Sequence, residues 1–417
     1  MIESIFNLVW KVINRIPNMK ERIYRFYAWK IFEYAPLLKR VIYYFYDKFW
    51  FLELALNDQT VDFSQKLVSN YEIDLSRLEY IALSNVKKQE DWDEVPKIEK
   101  IDSTDVYDVL HQHFLQNKNW QEINGNKEIL NASLRYPLQS NPLNDAELAR
   151  FLQELDRLYS NSTLNLSSDE FKKIKVGIGR TGDYILLDGL FRIVLLKILK
   201  IKKVPVHVDI RHPEWIKFCK EFFRFQSVHG EIYQPITHPD LKFKTTYSDK
   251  RFDIMKDNLS LQKGTLLDIG ANLGYFCHKF EEIGFECYAV EVRPSNVHFM
   301  RKLRDSEKKK FKIINSSIFD LKGNLDFDVV IAFNIFHHFL REKKLYNQLI
   351  DFLERLHVKE MFFQPHNPKE KVMQNAYQNY SNQEFVNFII KHSNLTNFTK
   401  LAESPEGKGR PIYKLYK

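Results

Sequence analysis

The stretch of this chain best suited to chemistry runs from Leu266 to Phe276, where a short apolar segment ends in Asp268 and is followed by Gly270, Asn272 and Gly274 at every second position. Glycine lacks a Cβ and tolerates positive φ, so a turn of this composition lets backbone approach a ligand to contact distance. About twenty residues on, a second apolar segment ends at Glu291. A carboxylate accepts two hydroxyl hydrogen bonds side by side, so an acid at the tip of the second strand of a βαβ unit is placed for a ribose diol.

Further along, the apolar run ending at Phe333 is followed by Asn334, His337 and His338, and the next such run by Gln364, His366 and Asn367. An imidazole near its ordinary pKa could take the proton of an attacking hydroxyl. His337 and His338 also read as packing residues at the start of a helix, and His366 is an alternative base. Arg410, in the segment from Gly407 to Tyr413, could face an acidic acceptor.

Elements that would hold these residues follow from hydropathy period and turn chemistry. Strands are expected at 265–269, 286–291, 311–315, 328–333, 358–364, near 398–403 and at 411–416. Helices are expected at 274–283, 295–305, 341–355 and 381–391. Regular alternation of this kind implies a mainly parallel, doubly wound α/β sheet, with ligands bound beyond the carboxyl ends of the strands. Cys277 falls on the core face of its helix by period.

The Asp268-x-Gly270-x-Asn272-x-Gly274 pattern with Glu291 resembles the class I S-adenosylmethionine (SAM) methyltransferases over residues 246–417. That resemblance implies SAM as cofactor. It assigns Asp268, Gly270, Asn272, Gly274 and Glu291 to cofactor binding, together with Asn334. The family's acid after the third strand is replaced by Ser317, with Ile318 beside it to pack on the adenine. His337, His338 or His366 would serve as base. The [DN]PP[YF] signature of amino-methylating nucleic-acid enzymes is absent after the fourth strand, where Asn334-Ile335-Phe336-His337 stands. A nucleic acid acceptor is therefore the lesser alternative to an oxygen of a glycan or lipid-linked sugar, which resemblance to methyltransferases of surface-glycan pathways favours. A non-catalytic, membrane-associated nucleotide-binding or assembly protein is a third reading.

Upstream, residues 76–225 carry two expected helices, Asp105–Asn117 and Asp145–Tyr159. A compact unit follows, with strands at 174–178, 184–187 and 204–210 and a helix at 190–200. The unit resembles the ParB/sulfiredoxin-like fold, an α+β domain. Asp188, Gly189 and Arg192 match that family's Asp-Gly-x-His-Arg centre, while Phe191 replaces its histidine. The resemblance implies a nucleotide or phosphate site at Gly189 and Arg192, with Arg180 and Arg211 as helpers. A structural or substrate-holding domain is the other reading. A helix at 213–225 and a loop at 226–244 lead to the boundary of the last domain.

Residues 1–75 form the remaining segment, helical and rich in aromatics beside lysine and arginine through residue 56. Such composition suits a helix at a membrane interface, or a helical subdomain packed on protein. Three cysteines without paired spacing point to a reducing, cytoplasmic compartment, and no metal site is expected. The net charge of +8 suits anionic partners but selects none.

Overall fold

The computed structural model describes residues 67, 69–83, 91–123, 144–160, 174–229, 231–323, 325–403 and 410–417. The membrane reading of residues 1–56 and the glycine-bearing approach to Arg410 lie outside them. The two sheets described below belong to one compact unit, Thr60–Val292 with Asn296–Lys417.

The central region is built on a mixed sheet of β1 (Asn70–Asp74), β2 (Leu78–Ala82), β3 (Ile98–Lys100), β4 (Lys175–Ile178), β5 (Tyr184–Asp188) and β6 (Lys203–Arg211), in the order β1-β6-β4-β5-β2-β3. Its helices are α1 (Asp105–Phe114), α2 (Asp145–Ser160), α3 (Leu190–Ile198) and α4 (Pro213–His229). The first three strands were not expected from the sequence. β1 is an edge strand that buries only Ile73 among polar neighbours, so it carries no apolar run. It pairs antiparallel with β6, so the sheet begins at Asn70, ahead of the expected boundary at residue 76.

The C-terminal region opens with α5 (Lys250–Asp257) and continues as β7 (Gly264–Ile269), α6 (Tyr275–Glu282), β8 (Phe285–Val290), α7 (Pro294–Ser306), β9 (Lys312–Ile314), β10 (Leu325–Phe333), α8 (Lys343–Arg355), β11 (Leu356–Gln364), α9 (Asn382–Lys391), β12 (Asn397–Ala402) and β13 (Ile412–Tyr416). The strand order is β12-β13-β11-β10-β7-β8-β9. β11 through β9 run parallel, while β13 is antiparallel to both β11 and β12.

Alternation along the strands divides the core. Leu267, Val330, Ala332 and Phe363 pack on one face with Phe352 of α8 and Phe385 of α9. Leu266, Val329, Ile331 and Phe362 pack on the other with Met255 of α5 and Phe276 and Phe280 of α6. Strands covered on both faces need continuous apolar runs, which is why they were legible in the sequence. α9 starts on a capping box, in which Ser381 Oγ accepts the Glu384 N–H and Glu384 accepts the Ser381 N–H. Chain order reverses between β7 and β10, so the carboxyl ends of these two strands form the switch point where such sheets bind ligands.

Candidate functional site

The turn after β7 is shaped for backbone approach. Gly270 and Gly274 take φ of 71° and 83°, and Asn272 takes φ of 55°, a left-handed conformation that asparagine tolerates better than most residues. A Cβ on Gly274 would stand 2.9 Å from Met300 of α7, and one on Gly270 would meet Ile335 at 3.0 Å. Gly274 then starts α6.

Asp268 and Glu291 flank this turn, and both are buried. Glu291 Oε2 accepts the Asn272 N–H at 2.9 Å, which pins the turn to the tip of β8. Asp268 Oδ2 has no hydrogen-bond partner. Burial pushes the Asp268 carboxyl up to about 7, with Arg251 opposing and Glu291 adding to the rise.

Arg251, on α5, is the residue that sequence reading missed. It is 0% exposed, with its guanidinium 3.8 Å from the Tyr247 ring centre, and Nη1 reaches Gln364 Oε1 at 3.4 Å. In the sequence it stands in a short polar helix, Lys-Arg-Phe-Asp, and reads as a solvated charge; nothing there signals burial. Its charge opposes the rise in the Asp268 pKa, so a buried cation and a buried carboxyl lie within electrostatic reach of each other at the end of the sheet.

Asn334 also has positive φ, 54°, at the end of β10. Its side chain is committed within the protein: Oδ1 accepts from Arg410 Nη1 at 2.9 Å, and Nδ2 donates to Gln364 Oε1 at 2.9 Å. Both polar atoms of the side chain thus brace the ends of β10 and β11. Arg410 is engaged within the protein as well, since it also binds Glu370 Oε1 at 2.6 Å and the Tyr247 hydroxyl at 3.2 Å. Together these bonds tie the C-terminal segment to the ends of β10 and β11.

Ser317 starts a 3-10 turn, where Oγ accepts the Phe319 N–H at 3.3 Å. Ile318 is 3% exposed and joins the core beside Val290.

The three histidines do come together. His338 is exposed, His337 lies 4.1 Å from it between ring centres, and His366 lies 5.4 Å beyond His337. His337 and His366 are buried, and neither has a partner for Nδ1. Burial, aided by its histidine neighbours and by Arg410 and Arg341, pushes His337 down to about 2. Burial also lowers His366, with Asn379 and Glu370 opposing. His366 Nε2 lies 3.1 Å from Asn379 Oδ1, and Asn379 Nδ2 donates to Pro368 O at 3.0 Å. That second bond orients the amide, so Nε2 carries the ring proton and Nδ1 presents a lone pair.

In the central region, Gly189 precedes α3 with φ of 97°, and Arg192 is half-buried in its first turn. The expected helpers are already paired. Arg180 binds Asp93 at 2.8 Å and also Glu94, and Arg211 binds Asp240 at 2.6 Å. Their charges are neutralised within the fold, which removes them from a phosphate site.

Residues 246–398 match the family model described as a methyltransferase domain. Among solved structures, the chain is similar to the bifunctional kinase-methyltransferase WbdD at 19% identity and TM-score 0.38, over 46% of this chain and 45% of that one. It is similar to the PH0226 protein of Pyrococcus horikoshii OT3 at 16% identity and TM-score 0.33, over 47% of this chain and 98% of that one. It is also similar to a 1,6-didemethyltoxoflavin-N1-methyltransferase of Burkholderia thailandensis with bound S-adenosylhomocysteine, at 15% identity and TM-score 0.31, over 40% of this chain and 75% of that one. The chain spans about half the length of the WbdD structures it matches. None of the curated proteins matches it. Residues 246–398 are a class I methyltransferase domain, whose cofactor is S-adenosylmethionine.

Proposed function

We propose that this chain transfers the methyl group of SAM to a hydroxyl oxygen of a glycan or lipid-linked sugar. The orphaned Asp268 Oδ2 is the observation that carries the cofactor reading, because a buried carboxylate oxygen beside a glycine turn calls for a cationic donor. In this assignment Asp268 holds the methionine ammonium and Arg251 its carboxylate. Glu291 takes the ribose hydroxyls, and the Gly270–Gly274 turn supplies close backbone contact. Ser317 and Ile318 border the adenine. When bound, SAM supplies an electrophilic methyl group on a sulfonium.

An oxygen acceptor is supported by the histidines. His366 presents a lone pair at Nδ1 that can accept a hydrogen bond from a hydroxyl, although burial weakens it as a base, with His337 beside it as a neutral hydrogen-bonding group and His338 at the exposed end. Direct displacement at a sulfonium depends first on alignment, so the base contributes less than positioning. The sugar class rests on the sequence resemblance to surface-glycan methyltransferases. The central region, with its ParB-like resemblance and the Gly189–Arg192 turn, is assigned to holding the acceptor. Among described residues no helix is long and apolar enough to cross a membrane, and attachment through residues 1–56 remains part of the proposal.

Calorimetric titration with SAM, followed by transfer of labelled methyl from SAM to sugar and lipid-linked sugar fractions, tests this reading. Wild type should bind SAM and Glu291→Ala should bind it at least tenfold more weakly. Absence of SAM binding by wild type would sink the enzyme reading. Label appearing only in RNA would move the acceptor to nucleic acid.

A further inference from the structure

Helix α7 touches both the central region and the cofactor turn. On one side, Phe299 packs against Phe222 and Phe225 of α4, with ring centres 4.8 and 4.9 Å apart. At its C-terminal end, the turn before β5 comes so close that a Cβ on Gly182 would lie 2.6 Å from Ser306 Cβ. Arg77, between β1 and β2, donates from Nη2 to the Ser306 carbonyl at 3.2 Å, and so satisfies a carbonyl at the helix end. Its Nη1 lies 3.9 Å from Glu307 Oε1.

On its other side, α7 supports the cofactor turn. Met300 stands where a Gly274 Cβ would be, and Phe311 closes the same space at 3.2 Å. Glu307 Oε2 lies 3.0 Å from His278 Nδ1. His278 sits on the first turn of α6, where its N–H donates to the Gly274 carbonyl at 3.0 Å and its ring meets Phe311 edge-on at 5.0 Å. A continuous series of buried and part-buried contacts therefore runs from Arg77 through α7, Glu307 and His278 to Gly274. Close-packed interiors transmit displacement, because neighbours have no free volume to absorb it.

We propose that Arg77 is a positioning residue for the SAM site: through the C-terminal end of α7 and the Glu307–His278 contact, the central region sets the conformation of the Gly270–Gly274 turn. The inference rests on the reading of that turn as the cofactor site. It implies linkage, so that an acceptor seated on the central region and SAM on the C-terminal sheet influence each other's affinity equally.

The test uses the full chain and SAM alone. Arg77→Ala should weaken SAM binding by roughly five- to tenfold at a temperature well below its unfolding transition, a coupling of ordinary size. It should also speed amide exchange in residues 270–276 of the ligand-free protein while leaving β10 and β11 unchanged. Arg77→Lys, which retains a donor and the charge, should recover most of the affinity. Should Arg77→Ala fail to fold, Glu307→Gln carries the same expectation. SAM affinity and turn exchange equal to wild type in the variant that folds, whatever its melting temperature, would overturn the inference. No binding by wild type would instead remove the cofactor reading on which it stands.

Discussion

Asp268 and Glu291 stand at the tips of adjacent parallel strands, and their carboxylates are unequally satisfied. Glu291 accepts the Asn272 N–H, whereas Asp268 Oδ2 meets no donor. Two acids enclosed together repel, so one of them holds its proton more tightly. That one is Asp268, raised chiefly by burial and further by Glu291.

Cofactor affinity should therefore depend on pH through Asp268. Its folded pKa of about 7 leaves it mostly neutral at pH 6 and mostly ionised above 7.5. If the ionised form is what pairs with the cofactor's ammonium, SAM should bind up to roughly tenfold more tightly across that interval. Without ligand the sign reverses for stability. The folded state holds the proton that the unfolded chain releases near pH 4, so this group costs stability as pH rises toward 7. Calorimetry at both pH values should show the dependence in wild type and lose it, with weaker binding throughout, in Asp268→Asn. A flat wild-type profile would remove Asp268 from the ammonium contact.

Arg251 lowers the Asp268 pKa, so removing its charge should raise it. Arg251→Met keeps much of the volume packed on Tyr247 and deletes the cation. The midpoint of the SAM pH profile should move upward by something on the order of one unit. The methionine carboxylate should also lose its partner, so affinity should fall even at the highest pH. S-adenosyl analogues lacking that carboxylate should be indifferent to the substitution. Equal losses for SAM and such analogues would make Arg251 a packing residue only.

What the sequence disclosed follows the physics of each residue. The strands β7, β8, β10 and β11 were legible because burial on both faces demands apolar runs, and the turn because only glycine and asparagine serve its positive φ values. β1 was hidden because an edge strand buries one side chain in five. Arg251 was hidden because Gln364, its partner, is 113 positions away. The same distance effect misdirected the reading of Arg180 and Arg211. They look available for phosphate until Asp93 and Asp240, distant in sequence, are seen to hold them. Asn334 was placed at the right strand end, but its side chain turns to Arg410, a pairing no local pattern announces.

Arg410 joins Glu370, Asn334 and Tyr247, and its side chain is only 17% exposed. Arg410→Ala would leave the Glu370 carboxylate and the Asn334 carbonyl without this donor in a largely enclosed site. Breaking one side of such a pair costs about 3 kcal/mol, less to the extent that water reaches Glu370. Urea unfolding should show a lower midpoint with an unchanged slope. SAM affinity should fall as well, because the end of β10 loses the bond that orients Asn334. A variant as stable as wild type would mean that the C-terminal segment is not fastened through this residue.

His238 should make the fold sensitive to mild acid. It is 0% exposed, with Nε2–H donating to the Gly182 carbonyl at 3.0 Å and Nδ1 accepting the Asp240 N–H at 3.2 Å. Both ring nitrogens are thus used in the neutral form, and burial lowers the pKa to about 4. The unfolded chain takes up this proton below about 6.5, while the folded state refuses it until about 4. Stability contributed by the neutral ring is therefore complete above pH 6.5 and declines as pH falls through that window, by up to about 3 kcal/mol. Glu307, held ionised below the usual carboxylate range against its own burial by His278 and Arg77, adds a loss only at lower pH, once the unfolded carboxylate is protonated. Urea midpoints at pH 7.5, 5.5 and 4.5, with a further one near pH 3, separate the two windows. His238→Gln, which can still donate to Gly182 and accept from Asp240 but does not titrate, should flatten the fall between 7.5 and 4.5. If the variant and wild type lose stability in parallel over that range, the acid sensitivity arises elsewhere.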